Sequence, residues 1–278
     1  MRRSLRAALA YVTAAAVTLT AGAAASAPAS ASPPRPAAAK PTVVLVHGAF
    51  ADASSWTPVT DRLLAAGYPV LAPTNPLRGV TTDVQYLREV LASVSGPIVL
   101  VGHSYGGFVM TNAAAGDADV EALVYVAAFA PEIGETAGGI SQSAGTSLLT
   151  PDRLDIHPYT GADGATHYEA TIKVEHYREV FAADVPPRTA ASLAVSQKPA
   201  DVSTLFAPSG EPAWRDVPTW TLVATQDNVI PPEAQRAMAS RAGATTVEVK
   251  ASHSVALSSP AKVAALVIDA ARTVQVSP

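Results

Sequence analysis

The sequence predicts an α/β fold, a mainly parallel sheet flanked by helices, and three observations predict it. Short β-branched runs alternate with longer amphipathic stretches from Pro41 onward. The short runs are apolar almost without interruption, as strands covered on both faces must be. Several of the longer stretches carry Pro or a hydroxyl residue near their start, where a helix tolerates a missing N–H or gains a side-chain cap.

In order along the chain, strands are expected at Thr42–Val46, Pro69–Ala72, Ile98–Val101, Ala122–Val126, Trp220–Ala224 and Thr246–Val249. Amphipathic helices are expected between them at about Ser55–Ala66, Thr82–Ser93, Gly107–Ala115, Pro232–Ala242 and Pro260–Thr273. The rhythm breaks between about Pro131 and Val217, where Gly, Pro, Ser and charged residues predominate. The strand pattern then resumes, which points to a small helical cap inserted after the strand at about 122–126 rather than to a second domain. Cap helices are expected near Tyr168–Ala182 and Pro187–Ser196. There is no internal repeat, and residues 41–278 read as one domain.

The N-terminus reads as a targeting signal. Basic Met1-Arg2-Arg3-Ser4-Leu5-Arg6 precedes an Ala-rich apolar run from Ala7 to about Thr20 and then small residues. Ala29-Ser30-Ala31 offers a small-x-small cleavage site, whereas Pro28 disfavours cleavage after Ala25-Ser26-Ala27, so residues 1–31 are expected to be a signal peptide. The apolar run is short and Ala-dominated against the ~20 strongly apolar residues that span a bilayer, so no stable membrane anchor is expected after cleavage. Export by the general secretory or the twin-arginine route is expected, because Arg2-Arg3 only partly matches the latter signal. Pro33, Pro34 and Pro36 make residues 32–40 an extended linker.

Composition narrows the function classes. With 49% apolar and 15% charged residues, the chain has the material for a sizeable core and too little charge for a disordered segment. The formal net charge is −4, and three of the positive charges are Arg2, Arg3 and Arg6, so the exported body carries −7. A mildly acidic body without a Lys/Arg block argues against a nucleic-acid partner. The absence of cysteine excludes disulfides, thiol catalysis and thiolate metal sites. The histidines His157, His167 and His176 lie irregularly spaced in the cap without a matching carboxylate set, so no metal site is expected.

Chemistry concentrates in three segments. Gly102-His103-Ser104-Tyr105-Gly106 is a G-x-S-x-G between an expected strand and an expected helix. A Ser at such a tight turn projects its hydroxyl above the sheet, and the flanking glycines avoid collision with neighbouring backbone. The helix N-terminus behind it favours developing negative charge. A hydroxyl is a poor nucleophile near neutral pH and needs a base, which in turn needs an orienting acid. His253 alone among the later histidines follows the last strand, in the loop before the final helix, and is the expected base. Asp227 follows the strand ending at Ala224 and is the expected acid, with Glu132 and Glu135 as the alternatives. Oxyanion donors are expected from the N–H of Tyr105 and from the loop Val46-His47-Gly48-Ala49-Phe50, at Ala49 or, failing that, Phe50. His47 precedes the nucleophile and is expected to support that loop rather than react.

Together His47–Trp56, Gly102–Gly107, Gln226–Pro231 and Ser252-His253 resemble the α/β-hydrolase superfamily, in particular bacterial carboxylesterases similar to the plant methylesterase and hydroxynitrile lyase group. The resemblance covers roughly Pro41 to Val274. It implies an α/β-hydrolase catalytic domain that needs no cofactor and cleaves small to medium carboxylic esters through an acyl-enzyme, with a small-molecule ester as partner. Ser104 at the elbow argues against the dehalogenase and epoxide hydrolase members, which carry Asp there. Hydroxynitrile lyases usually carry Thr where Gly48 stands and Lys where Ser254 stands, which argues against cyanohydrin cleavage. Cofactor-free haloperoxidases, carbon–carbon bond hydrolases and non-catalytic ligand-binding members share the residue set and are the alternatives. Substrate choice is expected to lie with the cap, through Leu148, Leu149, Tyr159, Tyr177, Phe181 and Leu193, and with Asn75, Leu77 and Arg78 in the loop after the second strand. Oligomeric state is not readable from the sequence.

Overall fold

The computed structural model describes residues 40–276. The expected signal peptide and the linker up to residue 39 lie outside the described residues. The first half runs β1 (Thr42–Val46), a 3-10 turn at Ala53–Trp56, α1 (Thr57–Ala65), β2 (Val70–Leu71), α2 (Val80–Ala92), β3 (Ile98–Ser104), α3 (Tyr105–Ala113) and β4 (Val120–Ala128). An inserted segment follows with α4 (Ala137–Gln142), β5 (Leu154–Thr160), β6 (Thr166–Ile172), α5 (Val174–Phe181), α6 (Pro187–Val195) and β7 (Ala200–Asp201). The chain then returns through β8 (Thr219–Ala224), α7 (Pro232–Arg241), β9 (Thr245–Val249), α8 (Val255–Ser258) and α9 (Pro260–Val276).

Six strands form one sheet in the order β2-β1-β3-β4-β8-β9, and every neighbouring pair is parallel. Because side chains alternate across a strand, each inner strand feeds two cores. Val44, Val46, Leu100 and Leu123 face one core with Phe108 and Met110 of α3. Val43, Leu45, Val99 and Val101 face the other with Trp56 and with Val263 and Val267 of α9. Burial on both sides explains the unbroken apolar runs: residues 98–104 of β3 are buried throughout. The order reverses at β1, since β2 lies on one side of it and β3 on the other. The loops leaving β1 and β3 therefore adjoin at the carboxyl edge, the crevice where open α/β sheets bind ligands.

The inserted segment carries strands as well as the expected helices. Tyr168–Ala182 was expected to be helical throughout, but Thr166–Ile172 is a strand paired antiparallel to β5, and α5 begins only at Val174. β5, β6 and the short β7 make a separate three-stranded sheet. The physical reason is a hairpin turn at Gly161-Ala-Asp-Gly164, closed by Gly161 N–H donating to the Ala165 carbonyl at 2.9 Å with Gly164 at φ +78°. Behind it, Thr166, Tyr168, Thr171 and Ile172 are β-branched or aromatic and favour the pleated state. The second cap helix, α6, falls where it was expected.

Candidate active site

β3 ends at Ser104, which takes φ +54° and ψ −127°, a conformation costly for a residue with a Cβ. The neighbouring packing explains the turn. A Cβ on Gly102 would stand 2.7 Å from the Gly107 backbone, and one on Gly106 would stand 2.3 Å from the Val46 carbonyl oxygen. Only glycine lets the strand, the helix and the β1 loop approach so closely. Gly48 is held against the same residue, since a Cβ there would be 2.6 Å from Ser104 Cβ. The turn leaves the first N–H groups of α3 without intrahelical partners, at the positive end of the helix.

The three residues expected from sequence to act together are brought together. Ser104 Oγ lies 2.8 Å from His253 Nε2, and His253 Nδ1 lies 2.7 Å from Asp227 Oδ2. An ionised carboxylate only accepts, so the ring proton sits on Nδ1 and the Nε2 lone pair faces the hydroxyl. Asp227 is itself fully engaged: Oδ1 accepts from the N–H groups of Val229 and Ile230 at 2.7 and 3.0 Å, and Oδ2 also accepts from Gln235 Nε2 at 2.8 Å. The Ser104, Asp227 and His253 side chains are buried, so electrostatic interactions among them act in a weakly screening surrounding. The alternative acids stand elsewhere: Glu132 pairs with Arg215 at 2.6 Å and Glu135 with Arg241 at 2.8 Å.

Two further histidines frame this centre. Burial pushes His47 down to about 4, so the ring is neutral near pH 7. Its Nε2 accepts the Asn75 N–H at 3.0 Å, which leaves Nδ1–H to donate to the Gly48 carbonyl at 2.9 Å. That bond fixes the Gly48–Ala49 peptide plane, as a loop-supporting residue should. His103 was not singled out from the sequence. Its Nε2–H donates to the His253 carbonyl at 2.9 Å, and the two rings stand 4.7 Å apart. Burial, followed by the neighbouring His253, pushes His103 down to about 3.

Asp83 and Gln235 also escaped the sequence reading. Tyr105 donates its hydroxyl to Asp83 Oδ2 at 2.9 Å, tying the residue after Ser104 to α2, and burial raises the Asp83 carboxyl above the usual range. Gln235 bridges Asp227 and the Ala224 N–H. A signal for these existed: His103 interrupts an apolar strand, and Gln235 sits on the α7 face that also carries Ala234 and Met238.

The cap residues divide. Phe50, Tyr177, Phe181 and Leu193 line a cavity of about 40 Å³ that also reaches His103 and Ser254. Leu148 and Leu149 pack against the same core. Tyr159 instead donates to Asp201 at 2.6 Å, on the hairpin. Asn75, Leu77 and Arg78 serve as supports: Asn75 holds His47, Leu77 is fully buried at φ +59°, and Arg78 pairs with Glu169 at 3.0 Å. Of the cap histidines, His157 is exposed, His176 is half-buried, and His167 pairs with Asp163 at 3.1 Å.

Residues 43–266 match the alpha/beta hydrolase family, and the chain belongs to that family. It is 26% identical over 255 residues to the alpha/beta hydrolase nvfD of Aspergillus novofumigatus, covering 84% of this chain and 97% of that one. It is 28% identical over 248 residues to a pyrethroid hydrolase of Sphingobium wenxiniae, covering 82% and 86%. The crystal structure of polyneuridine aldehyde esterase superposes with a TM-score of 0.69 at 19% identity, covering 83% of this chain and 98% of that one, a likeness of fold.

Proposed function

We propose that the protein is an exported serine hydrolase that cleaves small to medium carboxylic esters through an acyl-enzyme. Ser104 is the nucleophile, His253 the general base and Asp227 the acid that orients it. The observation that carries this reading is the unbroken line Asp227 Oδ2, His253 Nδ1, His253 Nε2, Ser104 Oγ, with gaps of 2.7 and 2.8 Å, ending on a strained elbow.

Ser104 Oγ attacks the ester carbonyl carbon while its proton passes to His253 Nε2, and the imidazolium is stabilised by the buried Asp227 carboxylate. The carbonyl oxygen gains negative charge and takes hydrogen bonds from the Tyr105 N–H and from the Ala49 N–H, with Phe50 as the adjacent donor. The His47 contact supports Ala49: the Gly48 carbonyl turns toward His47 Nδ1, so across a trans peptide the Ala49 N–H turns the opposite way. The intermediate collapses, Nε2–H protonates the leaving alkoxide and the alcohol departs. Water then repeats the sequence on the acyl-Ser104, returning the acid and the free hydroxyl. The cavity of about 40 Å³, with Phe50, Tyr177, Phe181 and Leu193 on its apolar side and Asp52, Ser54, Ser55 and Ser196 on its polar side, supports a compact substituent. The named pyrethroid hydrolase relative acts in the same reaction class.

Ser104→Ala or His253→Ala should each cut turnover of p-nitrophenyl acetate by about 10⁴-fold or more. Either variant keeping wild-type turnover would refute the assignment. Export rests on the basic start and Ala-rich run, and N-terminal sequencing of protein from the culture medium should begin at Ser32.

A further inference from the structure

The loop Lys250–Ser254, which carries His253, and the loop Thr225–Ile230, which carries Asp227, contain no strand or helix. A proton-transferring ring must nonetheless be held to within about 0.5 Å and 10–20°. On the body side, His103 Nε2–H donates to the His253 carbonyl at 2.9 Å, Gln226 N–H to the Ala251 carbonyl at 3.0 Å, Leu257 N–H to the Ser254 carbonyl at 2.9 Å, and Gln235 Nε2 to both Asp227 Oδ2 and the Ile230 carbonyl at 2.8 Å. A second set of restraints comes from the inserted segment.

Most of them converge on the C-terminal end of α5, and two come from Ser147 and Leu148. The Ser254 N–H and hydroxyl both donate to the Phe181 carbonyl, at 3.0 and 2.9 Å. The Ser252 hydroxyl donates to Asp184 Oδ1. Asn228 Nδ2 donates to the Glu179 carbonyl at 2.9 Å, while the Asn228 carbonyl accepts the Leu148 N–H at 2.7 Å and the Val229 carbonyl accepts the Ser147 hydroxyl at 2.8 Å. The Phe181 ring meets the His253 ring edge-on at 4.7 Å and the Phe50 ring at 6.4 Å. Both residues flanking His253, and the two residues after Asp227, are thus tied to the insert, and one aromatic side chain touches the base and the β1 loop together.

We propose that the end of α5 and the turn after it form a positioning element for the base and acid, with Asp184, Ser252, Ser254 and Asn228 as its positioning residues. The inference rests on the assignment of His253 as base. It gives the insert a second task besides shaping the substrate space: the α5 end stays docked through the reaction, because lifting it would remove the ties at Ser252, Ser254 and Asn228. A merely structural reading exists for part of this, since the Phe181 carbonyl lies in the last turn of α5 and needs a partner in any case. Asp184 escapes that reading, because its side chain caps nothing and the residue is exposed.

The test uses the mature full-length protein, with kcat and KM on p-nitrophenyl acetate and the low-field proton resonance of His253 Nδ1–H. Asp184→Ala and Ser252→Ala should each lower kcat about 10-fold, leave KM within about 2-fold, and shift or broaden the resonance, because a displaced base costs rate and not ground-state binding. The double variant should be no worse than either single one. Asp184→Asn keeps an acceptor for Ser252 and should restore most of kcat. Unchanged kcat and an unmoved resonance in Asp184→Ala and Ser252→Ala, or equal losses in Asp184→Asn and Asp184→Ala, would overturn the proposal. A wild type without ester turnover would instead count against the proposed function, and the resonance would still decide the positioning claim because it reports the His253–Asp227 bond directly.

Discussion

Mild acid should weaken the folded state through two histidines that the fold holds neutral. Burial places His47 at about 4 and His103 at about 3, against 6.5 for an exposed imidazole. Both values lie below the unfolded one, so from about pH 6.5 downward the unfolded chain takes up protons that the folded chain refuses. Stability is therefore complete above pH 7.5 and falls as the pH drops through 6.5 toward 4. At pH 5 each ring stands about 1.5 pH units below the unfolded pKa, which is worth ~2 kcal/mol apiece and ~4 kcal/mol together. Against a typical 5–15 kcal/mol, that loss is large. Urea unfolding at pH 7.5, 6 and 5 measures it: carboxylates with lowered values, such as Glu135 and Asp52, titrate further down, whereas Asp83, raised by burial, takes up its proton in the folded state and offsets part of the loss. His103→Gln keeps a donor for the His253 carbonyl and removes the titrating ring, so it should roughly halve the pH dependence even if it lowers stability at pH 7.5. A stability constant to within about 1 kcal/mol from pH 7.5 to 5, or an unaltered slope in His103→Gln, would refute the reasoning.

Three further substitutions probe the site and its frame. Asp227→Asn should lower kcat about 10⁴-fold, because an amide favours the wrong imidazole tautomer, while Glu132→Gln should stay near wild type since its carboxylate serves Arg215; steady-state kinetics with the order reversed would move the acid to the other loop. Gly106→Ala should cost about 3 kcal/mol or prevent accumulation of folded protein, because the new Cβ would lie 2.3 Å from the Val46 carbonyl oxygen and neither backbone can yield; a stable, active Gly106→Ala would contradict the packing described for the elbow.

The sheet was legible because its inner strands are buried on both faces and so carry no polar punctuation. Ile98–Val101 announced β3, although the strand continues to Ser104 through Gly102 and His103, residues with low strand preference that tertiary packing retains. Ser104, Asp227 and His253 were legible because each lies at or within a few residues of the carboxyl end of a strand of the parallel sheet, β3, β8 and β9, so their convergence at one sheet edge is a matter of topology. The hairpin β5–β6 was misread as part of a helix, since Tyr168–Ile172 gives a period too short to tell strand from helix and the Gly161–Gly164 turn was not weighed. His103, Gln235 and the Asp184–Ser252 pair were missed for another reason. Their roles depend on contacts 150, 8 and 68 residues apart, and nothing local to His103 or Ser252 names the partner.

Reaction with a fluorophosphonate followed by peptide mass mapping reads out whether Ser104, one hydroxyl among the many of this chain, is an activated nucleophile. A single adduct on Ser104 is expected, abolished in His253→Ala while the protein stays folded. An adduct on another residue, or a folded wild type that takes no label at all, would contradict it.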